Sequence, residues 1–170
     1  SIPESDSITV IDFKSYTQAG SYENILVYQV FNKENKDVTN NYEFTLSSGT
    51  ITILKRDVVI KPQYASKIYD GLAISTNESE ITGGSLVEGH QVEMIACDDF
   101  VDVGRYDNKI ESIRILKDDL DFTANYNITT ELGVLEIFKR ELRVKTKDSS
   151  KVYDDTYLVC DEYEILDGTL

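Results

Sequence analysis

The chain has 170 residues, with 31 acidic against 17 basic side chains and a formal net charge of −14. That balance excludes a nucleic-acid surface, which needs clustered Lys and Arg to displace counterions from phosphates, and it disfavours anionic membranes. No apolar run reaches the roughly 18 residues of a membrane-spanning helix, no signal-peptide pattern opens the chain, and two cysteines are too few for a disulfide scaffold or a four-ligand zinc site.

Taken in order, almost every segment reads as strand. Ile8-Thr9-Val10-Ile11 comes first, and Thr50-Ile51-Thr52-Ile53 alternates apolar and polar side chains as a half-buried strand does. Val58-Val59-Ile60 is a β-branched run, and Val92 to Ile95 repeats the first strand. Asn108 to Leu116 places Ile110, Ile113 and Ile115 together with one break in phase, which predicts a bulge or a bend. Asn125 to Thr129, Val134 to Ile137 and Leu142 to Val144 complete the series. Turn signals lie between them at Gly20, Ser47-Ser48-Gly49, Gly83-Gly84, Gly104 and Lys117-Asp118-Asp119. A short helical turn is expected over Asp118 to Thr123. The fold class is therefore all-β, in small sandwich-like or barrel-like domains.

The chain repeats itself. Ser66-Lys67-Ile68-Tyr69-Asp70-Gly71 returns as Ser150-Lys151-Val152-Tyr153-Asp154-Asp155, and Tyr153 minus Tyr69 gives a spacing of 84. The same offset carries Gly20, Tyr22 and Asn24 onto Gly104, Tyr106 and Asn108, and Asn41-Tyr42 onto Asn125-Tyr126. It needs no gap, and 26 of the 86 overlapping positions (170 minus 84) are identical. A unit this long is a domain in a row of domains rather than one coil of a solenoid, whose periods run about 20–50 residues. The charged steps Lys55-Arg56-Asp57 and Lys139-Arg140-Glu141 mark the junctions. They divide the chain into the end of one repeat (1–56), a complete repeat (57–140) and the start of a third (141–170). The rival frame, with a boundary at Gly84-Ser85, gives two complete repeats, 1–84 and 85–170. Because Ser1 falls inside a repeat, the chain reads as an excised piece. On the first frame, the C-terminal segment of one molecule is expected to complete the N-terminal segment of another by strand exchange at an open sheet edge.

The recurring residues are those each unit needs to fold. The tyrosine pairs Tyr22/Tyr106, Tyr42/Tyr126 and Tyr69/Tyr153 read as anchors of small β cores, and Asp102 with Gly104-Arg105-Tyr106 is similar to the tyrosine corner of immunoglobulin-like sandwiches. Asp70 and Asp154 read as turn formers. Lys67/Lys151 and Asn41/Asn125 could in principle form a Lys–Asn isopeptide link, but a solvated Lys and a turn Asn are the simpler expectation. His90, the only histidine, is expected at the surface and lacks a nucleophile motif. The acidic pairs Asp98-Asp99, Asp118-Asp119 and Asp154-Asp155 do not fit an EF-hand loop. Cys97 and Cys160 lie outside the repeated framework and are expected as buried free thiols. No acid, base or nucleophile converges, so no enzyme, cofactor or metal is expected.

The run Lys67-Ile68-Tyr69-Asp70-Gly71, with Gly-x-Leu-Val-x-Gly over Gly84 to Gly89, then Phe100 and Gly104, Asn125-Tyr126, and Gly-x-Leu-x-Ile over Gly133 to Ile137, resembles the YDG domain and the related MBG domains of bacterial surface adhesins and exoproteins. Asp155 departs from the pattern, standing where the glycine belongs. The resemblance implies tandem, elongated, mainly-β extracellular modules, immunoglobulin-like or β-grasp-like, at the cell surface or secreted. It implies neighbouring repeats as partners and a structural motif of Tyr69, Asp70, Gly71, Gly104, Tyr106, Asn125, Tyr126, Tyr153 and Asp154. The expected function is a spacer; a module binding host glycan or protein is the alternative, and it would show a contiguous apolar or aromatic patch larger than a few hundred Å².

Overall fold

The computed structural model describes residues 3–97 and 99–168, and it is mainly β. The strands are β1 (Ser7–Phe13), β2 (Gly20–Asn24), β3 (Leu26–Phe31), β4 (Gly49–Ile53), β5 (Arg56–Pro62), β6 (Ala65–Ile68), β7 (Ser79–Gly84), β8 (Gln91–Ala96), β9 (Gly104–Asn108), β10 (Ile110–Lys117), β11 (Leu120–Asp121), β12 (Tyr126–Thr130), β13 (Gly133–Phe138), β14 (Arg143–Thr146) and β15 (Tyr163–Asp167). Among the described residues the helical segments are two three-residue 3-10 turns, Thr39–Asn41 and Thr123–Asn125. Strands group as β1-β3, β2-β4, β11-β10-β8, β12-β5-β7, β6-β13-β9 and β14-β15.

The contacts divide into two units. The first holds Ser1–Val59, Gly83–Gln91 and Arg114–Thr129; the second holds Ile60–Thr82, Val92–Ile113 and Thr130–Leu170. In the first unit β1 and β3 run antiparallel with a register shift between Val10 and Asp12, and β2 and β4 pair from Gly20↔Ile53 to Asn24↔Gly49. In the second, β13 pairs antiparallel with β9 and parallel with β6. Its alternate residues Leu135 and Ile137 pack with Ile74, and Ala65, Phe100 and Tyr106 close around them. This is the period of two written into Val134 to Ile137, one face turned into a core. The run of β5 behaves likewise, with Val58, Ile60 and Pro62 buried.

One turn shows why a glycine recurs. Gly84 has φ +68°, and a Cβ there would stand 2.1 Å from the Asp57 carbonyl oxygen. Its repeat partner Gly168 has φ +91°, and its Cβ would stand 2.6 Å from the Glu141 carbonyl oxygen. Both the left-handed backbone and the close approach exclude a side chain.

The repeat is not gapless in three dimensions. Val30 N–H donates to Thr39 Oγ1 and Ile115 N–H to Thr123 Oγ1, each at 2.9 Å. Thr39 and Thr123 stand 84 apart, but Val30 and Ile115 stand 85 apart. From Asn24 and Asn108 to these amides the second copy is longer by one (7 positions against 6), and from the amides to the threonines it is shorter by one (8 against 9). Two opposite shifts therefore cancel. The shorter loop is a two-residue hairpin: Lys117 pairs with Leu120, and Asp118 and Asp119 have φ +50° and +63°, both positive as a type I′ turn requires. The helical turn expected over Asp118 to Thr123 is thus corrected. A hairpin occupies its start, and the 3-10 turn begins only at Thr123, where Asp121 Oδ1 accepts the Thr123 amide at 2.8 Å.

Candidate functional site

The Lys-x-Tyr-Asp motif builds the same clamp twice. Lys67, on β6, reaches over the following turn and places Nζ 2.7 Å from Asp70 Oδ1, 2.5 Å from the Leu72 carbonyl and 3.1 Å from that of Ala73. An ammonium has three protons, and all three have acceptors, so the expectation of a solvated Lys is corrected. Asp70 Oδ1 also accepts the Leu72 amide at 3.0 Å, and Gly71 takes φ +77°. The Lys67 ammonium first, and the Leu72 amide second, hold the Asp70 carboxyl below its ordinary value. Lys151 repeats this on Asp154 Oδ1 and the Thr156 carbonyl, both at 2.7 Å, and adds the Thr156 hydroxyl. Asp154 is depressed by Lys151 and then by Thr156. Asp155 keeps the left-handed turn at φ +60° despite its side chain, as Asp tolerates better than most residues.

The tyrosines divide into two kinds. The Tyr106 hydroxyl donates to the Asp102 carbonyl at 2.9 Å and the Tyr22 hydroxyl to that of Gln18 at 2.8 Å, so the tyrosine corner forms in both copies. Each ring stacks on an aromatic residue at matching positions: Tyr106 on Phe100 at 4.1 Å and Tyr22 on Tyr16 at 4.0 Å. The ring folds over the glycine two residues before it, and a Cβ on Gly104 would stand 2.8 Å from the Tyr106 hydroxyl. Tyr69 and Tyr153 depart from expectation. They are 38% and 86% exposed and anchor no core; their motif serves the turn rather than the ring.

A cleft of about 310 Å³ in the first unit is lined by Ile53, Leu54, Val87, His90, Phe122 and Tyr126, among others. The Tyr126 hydroxyl lies 2.8 Å from His90 Nδ1 and accepts the Val87 amide at 3.1 Å. With the imidazole neutral and protonated on Nε2, the hydroxyl donates to Nδ1. His90 also meets the Phe122 ring at 4.7 Å between centroids and is half-buried, which corrects the expectation of a surface residue. In the first copy the same two positions hold Tyr42 and Asp6, with the Tyr42 hydroxyl donating to Asp6 Oδ2 at 2.6 Å. That bond lowers the Asp6 carboxyl and raises the Tyr42 phenol. The tyrosine thus keeps its bond while the partner changes from carboxylate to imidazole. Asn125 closes the cleft rim: its Oδ1 accepts the Ala19 amide at 2.6 Å and its Nδ2 donates to Gln18 Oε1 at 2.5 Å. It is a clamp on residues 18–19 rather than only a turn residue.

Cys97 and Cys160 are exposed, not buried, because each stands outside the inward-facing positions of the repeat. Among the described residues no group of three or more His, Cys, Asp or Glu is placed to hold a metal ion; Asp98 lies outside them. The Lys67 and Asn125 clamps were missed by sequence reasoning. For the lysine clamp the signal was recurrence, since Lys67 returns as Lys151 and both make it; for Asn125 recurrence carried none, because its partners lie 106 positions away. Comparison with family profiles, with characterised proteins and with solved structures returns no match to this chain.

Proposed function

We propose that this chain is a spacer segment of a bacterial surface or secreted protein, a run of YDG/MBG-like β modules whose work is to hold other parts at a distance. The observation that carries this reading is where the recurring polar groups go. Lys67, Asp70, Tyr106, Thr123 and their counterparts 84 residues away all bond to the backbone or side chains of their own turns. Residues that every unit keeps are spent on making the unit rigid. The acidic surface suits such a role, since like charge keeps a repetitive protein soluble. The test is small-angle X-ray scattering at dilute, monomeric concentration on this chain and on one lengthened by a further copy of 57–140. A spacer adds a constant increment to the maximum dimension; a chain that stays the same length and becomes only thicker overturns the reading.

A second reading, a module that binds glycan or protein, is favoured by the cleft with its His90, Phe122 and Tyr126 rings, because aromatic faces suit sugar stacking. Binding to a glycan array that is lost in His90→Ala would establish it.

A further inference from the structure

Asn125 Oδ1 accepts the Ala19 amide at 2.6 Å, and Asn125 Nδ2 donates to Gln18 Oε1 at 2.5 Å. The partners stand 106 and 107 positions apart. Both separations exceed the repeat spacing of 84. Asn125 and residues 18–19 therefore belong to different repeats wherever the boundary is drawn, at Lys55-Arg56 or at Gly84-Ser85. All three residues lie in the first unit of the fold. Neither bond is among those a repeat makes within itself.

Both sides of the contact are built from recurring parts. Asn125 closes the 3-10 turn Thr123–Asn125. The Ile115 amide on Thr123 Oγ1 and the Asn125 amide on the Phe122 carbonyl, each at 2.9 Å, hold that turn. The next residue, Tyr126, is buried, and its hydroxyl is fixed between His90 and the Val87 amide. The same turn returns at Thr39–Asn41, where the Asn41 amide meets the Val38 carbonyl at 2.9 Å. On the other side, Gln18 belongs to a tyrosine corner. The Tyr22 hydroxyl donates to its carbonyl and the Tyr22 ring stacks on Tyr16, so the loop is a preformed seat. That corner returns at Asp102 and Tyr106. A primary amide suits the seat because it offers an acceptor and a donor side by side, one for the Ala19 amide and one for the Gln18 side chain.

We infer that the Asn–Tyr turn is the docking element by which one repeat grips the tyrosine corner of its neighbour, with Asn125 as the gripping group. Its partner is a corner loop of an adjacent repeat in the same chain. The stability of a tandem array is a sum of what each repeat contributes alone and what each neighbouring pair adds. Here part of the pair contribution runs through one side-chain amide. Tyr126 anchors the turn in its own repeat, and Asn125 spends its hydrogen bonds on the next. The inference holds for any array of these repeats and does not rest on the spacer reading.

Amide exchange and spin-label distances, both on the full chain, are the test. Asn125→Leu removes both polar groups at nearly unchanged size. It should speed exchange of the Ala19 amide about fivefold, the worth of one hydrogen bond, while the amides of β9 and β13 keep their rates. Asn125→Asp retains the acceptor and should keep the Ala19 amide slow. With Cys97 and Cys160 replaced by Ser, spin labels at Glu23→Cys and Lys117→Cys report across the contact. Both positions are exposed, and they stand 94 apart (117 minus 23). Asn125→Leu should broaden the distance distribution between them, and adding Gln18→Leu should broaden it little further. An Ala19 amide that exchanges equally fast in wild type and Asn125→Leu would overturn the bond. A distance distribution of the same width in both would overturn the docking role. Faster exchange throughout β9 and β13 would make Asn125 a folding residue of its own repeat, and that too would overturn the inference.

Discussion

Residues 57–140 and the flanking segments 1–56 and 141–168 carry related residue types at positions 84 apart, yet several of the matched positions differ in burial. Ile137 is buried while its counterpart Ile53 is only half-buried, and Val58 is buried while Leu142 is exposed. The local devices do not differ in this way. Both tyrosine corners, both Thr–amide bonds and both lysine clamps form whether or not the surrounding core is complete. Local hydrogen-bonded turns therefore depend on a few neighbouring residues, whereas burial depends on what packs against a position from elsewhere in the chain: Val30 and Ile115 are both buried, but Ile60 and Val144 are not alike.

The sharpest test of this difference is a matched core truncation. Ile137→Ala should cost about 2–5 kcal/mol, as large-to-small core changes do. Ile53→Ala, measured at monomeric concentration, should cost under about 1 kcal/mol. Urea denaturation reads both; equal losses would mean that the N-terminal piece already has a finished core.

The next effect is at the close backbone approach. Gly84→Ala should destabilise the complete repeat by about 1–3 kcal/mol through strain at positive φ and a clash with Asp57. Gly168→Ala should leave its thermal transition in place and disturb only the amides of the β14–β15 hairpin.

Asn108 is buried and its amide has no hydrogen-bond partner, while the matching Asn24 is half-buried. Removing an unsatisfied buried polar group relieves its desolvation cost. Asn108→Leu should raise the midpoint by an amount worth about 1 kcal/mol, and Asn24→Leu should not.

Acid should affect both regions. Asp37 and Asp121 are each lowered by the threonine two residues ahead, and Asp6, Asp70 and Asp154 by their own partners. A folded carboxyl below its unfolded value stabilises the native state above the unfolded value and loses that contribution as pH falls through the folded one. Stability should therefore decline below about pH 4. Asp121→Asn should flatten that decline in the complete repeat, and Asp37→Asn should do so at the amide of Thr39, as amide exchange would show.

The smallest effect concerns the two turns after tyrosine. Gly71→Asp should cost about 1 kcal/mol or less, since a Cβ there meets open space and only the left-handed backbone resists it. Asp155→Gly should relax the other turn by a similar amount. Backbone relaxation by NMR would detect each change.

Much of this was legible beforehand. Alternation in Val134 to Ile137 specified a strand and its buried face, and Gly104-x-Tyr106 after Asp102 specified the tyrosine corner. The break in phase within Asn108 to Leu116, read as a bulge or a bend, falls where the second copy carries one residue more than the first. Its compensating deletion was hidden because Lys33 and Lys117 match by coincidence within an otherwise dissimilar stretch. The offset of 85 aligns Val30 with Ile115 and Phe31 with Leu116, and polarity could have revealed it. The pairing of Tyr126 with His90, and the grip of Asn125 on residues 18–19, join groups 36 and 106 positions apart, a distance at which no periodicity carries information.

By itself the sequence determined the all-β character, the repeat and the turn chemistry, because these follow from side-chain period and from backbone preferences spanning a few residues. Tertiary structure alone decided which recurring residues are buried. Tyr106 and Tyr69 look equally suited to a core, but only Tyr106 lies on a strand with a packed partner on its inner face. Burial is a property of which segments, far apart in sequence, come to pack against a position, and no local pattern carries that information.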